Sequence, residues 1–207
     1  MAGIFIAFEG VEGAGKSTQV ALLAGRLARL GQEPVVVREP GGTPLAEEAR
    51  RLLLHGPDDV GAEVELFLLQ VARADLVRRV IRPALEAGRV VIADRYELSS
   101  RAYQIAGRGL PEAEVRAAIA LATGGLMPDL YVVMDLPSEA GRARQAAERK
   151  APDRMERAHP DFHRRVASAF GAARGPGVVH VDGALPPESV HEAVWAAVAA
   201  RFPALAR

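Results

Sequence analysis

No cysteine and no asparagine occur among the 207 residues, and lysine occurs only at Lys16 and Lys150, so nearly all of the 26 basic residues are arginine. Without cysteine there are no disulfides and no thiolate chemistry. The lack of thermolabile Asn and Cys suits exposure to heat; scarce lysine is not the heat signature, and biased codon usage produces it equally well. Charge of one sign is also lacking: 26 basic and 26 acidic residues cancel, so no global field attracts nucleic acid. No stretch of about twenty apolar residues exists to span a membrane. Met1-Ala2-Gly3-Ile4-Phe5 has no basic region before its apolar run, unlike a secretory leader. A soluble cytoplasmic protein is the expectation. The five histidines (55, 159, 163, 180, 191) show no metal-ligand spacing and read as surface or packing residues.

What the chain does contain is alternation. Apolar runs at 4–8, 34–37, 90–93, 130–134 and 178–181 lack polar interruption, the mark of strands buried on both faces. Helical stretches separate them at 16–30 (ending at Gly31), 43–54, 62–87 (one long helix or two shorter, ending at Gly88), 97–106, 111–123, 138–149, 160–173 and 187–202. The pattern predicts a parallel sheet with helices on both faces. In such sheets ligands bind beyond the carboxyl ends of the strands. No repeat, low-complexity tract or linker divides residues 1–207, which read as one domain.

Residues 10–18, Gly-Val-Glu-Gly-Ala-Gly-Lys-Ser-Thr, follow the first apolar run. They fit G-x-x-x-x-G-K-[ST], a loop between strand and helix. Gly10, Gly13 and Gly15 let the backbone wrap around phosphate oxygens with its N–H groups inward. The helix beginning near Lys16 turns its positive end to the same anion. Lys16 reaches β- and γ-phosphates, and the Ser17 hydroxyl is placed to hold Mg²⁺. Gly10, Glu12, Gly13, Ala14, Gly15, Lys16, Ser17 and Thr18 are therefore the expected ATP-binding segment.

The other strand ends carry matching punctuation: Arg38-Glu39-Pro40-Gly41-Gly42-Thr43-Pro44, then Asp94-Arg95-Tyr96, then Asp135-Leu136-Pro137. Asp94 is suited to hold Mg²⁺ directly or through water. Arg95 places a planar, permanently charged fork beside it, suited to a phosphate. Asp135 reads as a turn residue. Arg142, Arg144, Arg149, Lys150, Arg154 and Arg157 crowd one segment; by charge alone it is equally a solvated helix face or a lid closing arginines over a transferring phosphoryl group. Arg73, among Leu66, Leu69, Val77 and Ile81, either snorkels or presents donors to the cleft.

Together these motifs resemble the thymidylate kinases, P-loop nucleoside monophosphate kinases, over almost the whole chain. Phe8 to Thr18 resembles their opening, and Arg38-Glu39-Pro40-Gly41-Gly42-Thr43 a segment common in bacterial members. Asp94-Arg95-Tyr96-Glu97-Leu98-Ser99-Ser100-Arg101-Ala102-Tyr103-Gln104 fits the family signature D-R-[FYH]-x-x-S-x-x-A-[FY]-Q, and Gly107-Arg108-Gly109-Leu110 continues it. Asp153-Arg154-Met155-Glu156 and Phe162-His163-Arg164-Arg165-Val166 are similar to the segment after the family's lid.

The resemblance implies a three-layer α/β/α fold, a five-stranded parallel sheet and an arginine-rich lid at about 142–157. It implies ATP and Mg²⁺, dTMP as acceptor, and a homodimer packed through helices such as 62–87. Glu12 would accept from the deoxyribose 3′-hydroxyl, and Arg38 and Arg95 would grip the dTMP phosphate. Arg73 would meet a thymine carbonyl, while Ser99, Ser100 and Gln104 would line the base and its neighbours. Tyr103 would lie under the sugar and exclude a 2′-hydroxyl. Ala14 leaves the phosphate loop without an arginine of its own; in such members the lid supplies it, at the position of Arg149. Lys16, Arg95 and Arg149 would then be the catalytic cations. Two departures stand out. Leu69 replaces the Phe that usually stacks on thymine, a loss of about 0.5–1.5 kcal/mol, and Phe67 lies roughly 200° away around the helix. Phe170 stands where Tyr is common. Two other readings remain at this point: a related deoxynucleotide or nucleoside kinase with altered base choice, and a P-loop ATPase or regulator.

Overall fold

A computed structural model describes residues 3–147 and 153–206. Five strands form one parallel sheet: β1 (Ile4–Gly10), β2 (Val35–Arg38), β3 (Val90–Asp94), β4 (Leu130–Asp135) and β5 (Val178–Asp182), in the order β2-β3-β1-β4-β5. The register aligns Phe8 with Asp94 and Gly10 with Met134, so β1, β3 and β4 end side by side. After β1 the chain passes outward to β2 and returns to β3; after β4 it leaves in the opposite direction to β5. The order thus reverses at β1, and the crevice at its carboxyl end is where an open α/β sheet takes its ligand.

The uninterrupted apolar runs explain the layers. Phe5, Ile6, Ala7 and Phe8 are buried, as are Val91, Ile92 and Ala93 and Val132 and Val133. Strands buried on both faces need helices on both. These are α1 (Lys16–Arg29), α2 (Pro44–His55), α3 (Ala62–Leu76), α4 (Arg82–Glu86), α5 (Glu97–Ser100), α6 (Glu112–Thr123), α7 (Ser138–Ala147), α8 (Pro160–Gly171) and α9 (Pro187–Arg201). Gly31 (φ 76) and Gly88 (φ 73) stop their helices as expected: Gln32 N–H donates to Leu27 O and Arg89 N–H to Ala84 O, each at 3.0 Å, the backward bonds of a left-handed helix terminus.

Two helical stretches differ from regular α-helix. Between α3 and α4 lies a π-helical turn, Val77–Ile81; it precedes Pro83, which has no N–H to return to the turn below. Residues 62–86 are therefore one rod. The expected helix 97–106 is a short α5 followed by a π-helical run, Arg101–Gly107, and this run carries Tyr103 and Gln104. No described helix is long and apolar enough to cross a membrane.

Candidate active site

The loop after β1 is shaped by three glycines at positive φ: Gly10 (138°), Gly13 (71°) and Gly15 (90°). Gly13 also lacks room for a side chain, since a Cβ there would stand 2.3 Å from Gly141 O. Gly141 is crowded in return: a Cβ would meet Glu12 O at 2.2 Å. The two glycines let α7 lie directly against the loop. α1 begins with no side chain capping its first amides, leaving donors available to an anion. By contrast, α2 is capped by Thr43, whose Oγ1 accepts from Ala46 N–H at 3.1 Å.

Lys16 is buried and donates to Val11 O at 2.7 Å, leaving two of its three protons for a ligand. Burial, reinforced by Arg95, pushes its ammonium down to about 8 against the pull of Glu12, Asp94 and Glu9. Ser17 Oγ donates to Asp94 Oδ2 at 2.5 Å. This pairs a hydroxyl with a carboxylate at the mouth of the loop, a donor set of hard oxygens.

Arg95 is the one described non-glycine residue at positive φ (76°). Left-handed backbone at such a residue costs roughly 1–2 kcal/mol, and the surroundings hold it there. Its N–H donates to Phe8 O at 2.9 Å. Nη1 donates to Gly10 O (2.9 Å) and Ser99 Oγ (3.0 Å), and Nη2 to Glu12 Oε1 (2.6 Å) and Tyr103 Oη (3.3 Å). Burial works against ionisation of Glu12, but Arg95 and Lys16 outweigh it and hold the carboxyl down near 2. Glu9, beneath the same turn, accepts from Tyr96 N–H (2.8 Å) and Ser99 Oγ (2.6 Å). Its complete burial pushes its carboxyl up to about 7, although the Ser99 bond and Arg95 oppose the rise.

On the far side of the cleft Arg73 is almost fully buried. Its Nη2 and Nε meet Glu39 Oε2 at 2.7 and 2.8 Å, and its Nη1 donates to Gln70 Oε1 (3.1 Å) and Ser100 Oγ (3.0 Å). It does not snorkel; it is fixed across the cleft wall. Gln104 Nε2 donates to Glu65 Oε1 at 2.8 Å, while Gln104 Oε1 is buried with no hydrogen-bond partner. Tyr103 meets Phe162 and Phe170 edge-on, at 5.9 and 6.2 Å between ring centres, so the Phe at 170 is packing under Tyr103. Arg38 pairs with Glu47 at 3.2 Å.

These groups surround one cleft of about 1170 Å³, larger than the roughly 300–1,000 Å³ of a single small-ligand pocket. Of the residues expected from the sequence, Glu12, Gly13, Ala14, Gly15, Lys16, Ser17, Thr18, Arg38, Leu69, Arg73, Asp94, Arg95, Ser99, Ser100, Tyr103 and Gln104 line it. Gly10 does not; it contributes its carbonyl to Arg95. The arginine-rich segment divides. Arg142 and Arg144 line the cleft, and Arg144 Nη1 donates to Gly183 O at 2.9 Å. Arg154 is instead buried, with Nη2 on Glu65 Oε2 and Nε on Leu53 O, both at 2.9 Å; it is neither a solvated face nor an arginine over the phosphates. Arg157 pairs with Asp58 at 2.5 Å. Arg149 and Lys150 lie outside the described residues. Asp135, expected in a turn, is instead the last residue of β4, paired in register with Asp182, and holds His180 Nδ1 at 2.9 Å.

Sequence reasoning missed Glu9, Glu39, Arg50 and Glu65. A signal existed for Glu9, an ionisable residue inside a strand otherwise apolar on both faces. Arg50, which lines the cleft and donates to Pro40 O at 2.8 Å, carried none, because a helical arginine reads first as solvated.

Comparison with known proteins agrees with this geometry. A profile of the family described as Thymidylate kinase matches residues 8–194. The chain is 50% identical over 197 residues to a thymidylate kinase of Thermomicrobium roseum, covering 94% of this chain and 93% of that one. It is 45% identical over 202 residues to one of Deinococcus radiodurans, covering 96% and 98%. A crystal structure of thymidylate kinase from Ehrlichia chaffeensis superposes with a TM-score of 0.77 at 27% identity, covering 96% of this chain and all of that one.

Proposed function

The chain belongs to the thymidylate kinase family, and from that premise we propose how its residues move the γ-phosphoryl group of ATP to dTMP. The reaction is ATP + dTMP → ADP + dTDP. An oxygen of the dTMP phosphate attacks the γ-phosphorus in line as the bond to the β-phosphate oxygen breaks. That phosphate is anionic near neutral pH, so no general base is required. The work left to the protein is positioning and charge neutralisation.

The observation that carries the assignment of roles is the convergence of Lys16, Arg95, Glu12 and Tyr103 at one end of the cleft. Lys16 and the open amides of α1 seat the triphosphate. Arg95, Arg38 and Arg149 take the acceptor phosphate and the charge that spreads in the transition state. All four Nη protons of Arg95 are engaged in the free protein. A phosphate therefore competes with Glu12 and Tyr103 for Nη2, and displacing Glu12 frees its carboxylate to accept from the sugar 3′-hydroxyl. The unpartnered Gln104 Oε1 supports base reading at the other end, as an acceptor for the ring N–H of thymine, with Arg73 and Ser100 beside it.

Ser17 and Asp94 fit a Mg²⁺ ion: both are hard oxygen donors, and Mg²⁺ commonly takes one or two protein ligands with phosphates and water completing its shell. Bound there, it would neutralise phosphate charge. We also read residues 1–207 as one kinase domain with its lid at about 142–157, acting in the cytoplasm. A homodimer is supported by the apolar stripe Val64, Phe67 and Val71 on α3, exposed in the single chain (Phe67 62%).

Steady-state kinetics test the roles. Lys16→Ala should lower kcat by about two orders of magnitude or more, the scale of one electrostatic donor at such sites. Arg149→Ala should lower kcat more than it raises KM for dTMP; an effect on KM alone would remove Arg149 from the transition state.

A further inference from the structure

Glu65 lies on α3, away from the phosphates, and is fully buried. Two guanidinium groups hold it: Arg108 Nη2 at 2.9 Å, with its Nε at 3.2 Å from both carboxylate oxygens, and Arg154 Nη2 at 2.9 Å. A carboxylate held by two permanent cations is an acceptor and nothing else. Its remaining neighbour is Gln104 Nε2, on Oε1 at 2.8 Å.

A carboxamide has one donor end and one acceptor end. In an isolated pocket Gln104 could present either to the cleft, and the two orientations differ little in shape. Beside Glu65 they differ greatly in energy, because the flipped amide would set its oxygen against a carboxylate oxygen with no proton between them in a buried site. Glu65 thus removes one orientation, and the oxygen left over is the buried, unpartnered Gln104 Oε1 of the cleft wall.

We propose that Glu65 is a specificity-determining positioning residue: it fixes the Gln104 carboxamide so that the cleft offers an acceptor to the base. This rests on the reading of Gln104 as the base-facing group given above. An acceptor there matches a pyrimidine whose ring nitrogen carries a proton, as in thymine and uracil. It opposes cytosine, whose corresponding nitrogen is itself an acceptor, and two acceptors face to face are left unpaired. Arg108 and Arg154 serve this arrangement by pairing with the buried Glu65 carboxylate, which accounts for the burial of an arginine from the lid's returning segment.

The readout is the ratio of kcat/KM for dTMP to that for dCMP. It is measured in Glu65→Asp, which keeps the charge and withdraws the carboxylate by one methylene. It is measured again in Glu65→Gln/Arg154→Met, which removes one charge of each sign and leaves Arg108, which also lies over the Phe162 ring, facing a neutral amide. In whichever variant retains cooperative thermal unfolding, the ratio is expected to fall by about tenfold or more, the scale of one oriented hydrogen bond, with KM for ATP within about twofold of the parent. An unchanged ratio in a folded variant, or equal losses on both substrates, overturns the proposal. Should neither variant fold, the Gln104 side-chain amide resonances of ¹⁵N-labelled parent protein decide: slow hydrogen exchange insensitive to dTMP supports a donor end locked on Glu65, and exchange slowed only by dTMP contradicts it. Gln104→Leu separates the two layers. If it too leaves discrimination intact, Gln104 does not read the base and the underlying reading fails; if it abolishes discrimination while the Glu65 variants do not, only the role of Glu65 is lost.

Discussion

Arg95 shows what one residue reveals in sequence and what it withholds. The dipeptide Asp94-Arg95 at the end of an apolar run marked it as a cleft residue. Nothing marked its left-handed backbone, because that conformation belongs to glycine and, less often, to Asn and Asp. It is imposed by contacts from Phe8, Gly10, Ser99 and Glu12. Arg95→Lys keeps the charge but cannot span Gly10, Ser99, Glu12 and Tyr103 with one ammonium group; kcat should fall about 10²-fold, and kcat near the parent value would contradict a transition-state role. Glu9 makes a prediction about stability. Its carboxyl is raised from 4.5 to about 7 in the folded chain, so the folded state binds more protons than the unfolded state between those values, and stability falls as pH rises through that window. Glu9→Gln removes the titration. Relative to the parent, its unfolding free energy in urea should rise from pH 4.5 to 7.5, by at most on the order of 3 kcal/mol; a pH-independent difference would show that Glu9 is not shifted.

At the scale of elements, the strand and helix ranges read from periodicity are present within one or two residues among the described residues, apart from the π-helical part of 97–106 and the end of 138–149, which lies outside them, because runs of one apolar period and glycine stops are local signals. The π-helical turns were not legible. The run Arg101–Gly107 has ordinary helical composition, and so does not reveal its widened turn or its close approach to α8, where a Cβ at Gly107 would stand 2.6 Å from Phe162 Cε2. Arg154 was misleading for a related reason. A charge run shows its own residues but not the partner, and Glu65 is distant in sequence. The contact of α7 with the phosphate loop was likewise invisible, being a close approach of two backbones at Gly13 and Gly141. Gly141→Ala should force α7 off the loop and lower kcat by tenfold or more with little change in unfolding midpoint, since α7 is short and peripheral; unchanged kinetics would show that α7 position is not coupled to the phosphates. Leu69 lines the cleft, and Leu69→Phe should tighten dTMP binding, read by calorimetry, by the factor of roughly 2–10 that an aromatic stack contributes.

For the whole molecule, the alternation of strands and helices predicted the parallel sheet, but not its order. That order gathers the phosphate loop, Asp94-Arg95 and Arg38 at neighbouring strand ends, and it explains why one cleft collects residues from 12 to 190. The α3 stripe makes a prediction at this scale: Phe67→Glu should shift sedimentation from dimer to monomer, whereas an unshifted mass would remove this face from any interface. The central claim is that the cleft hands a phosphoryl group from ATP to dTMP and to little else, despite leucine at position 69. ADP release measured with dTMP, dUMP, dGMP, dCMP, dAMP and thymidine as acceptors, and with none, tests it most directly. The account predicts turnover with dTMP far above every other acceptor and negligible hydrolysis alone; equal turnover across the panel, or ADP release without an acceptor, would contradict it.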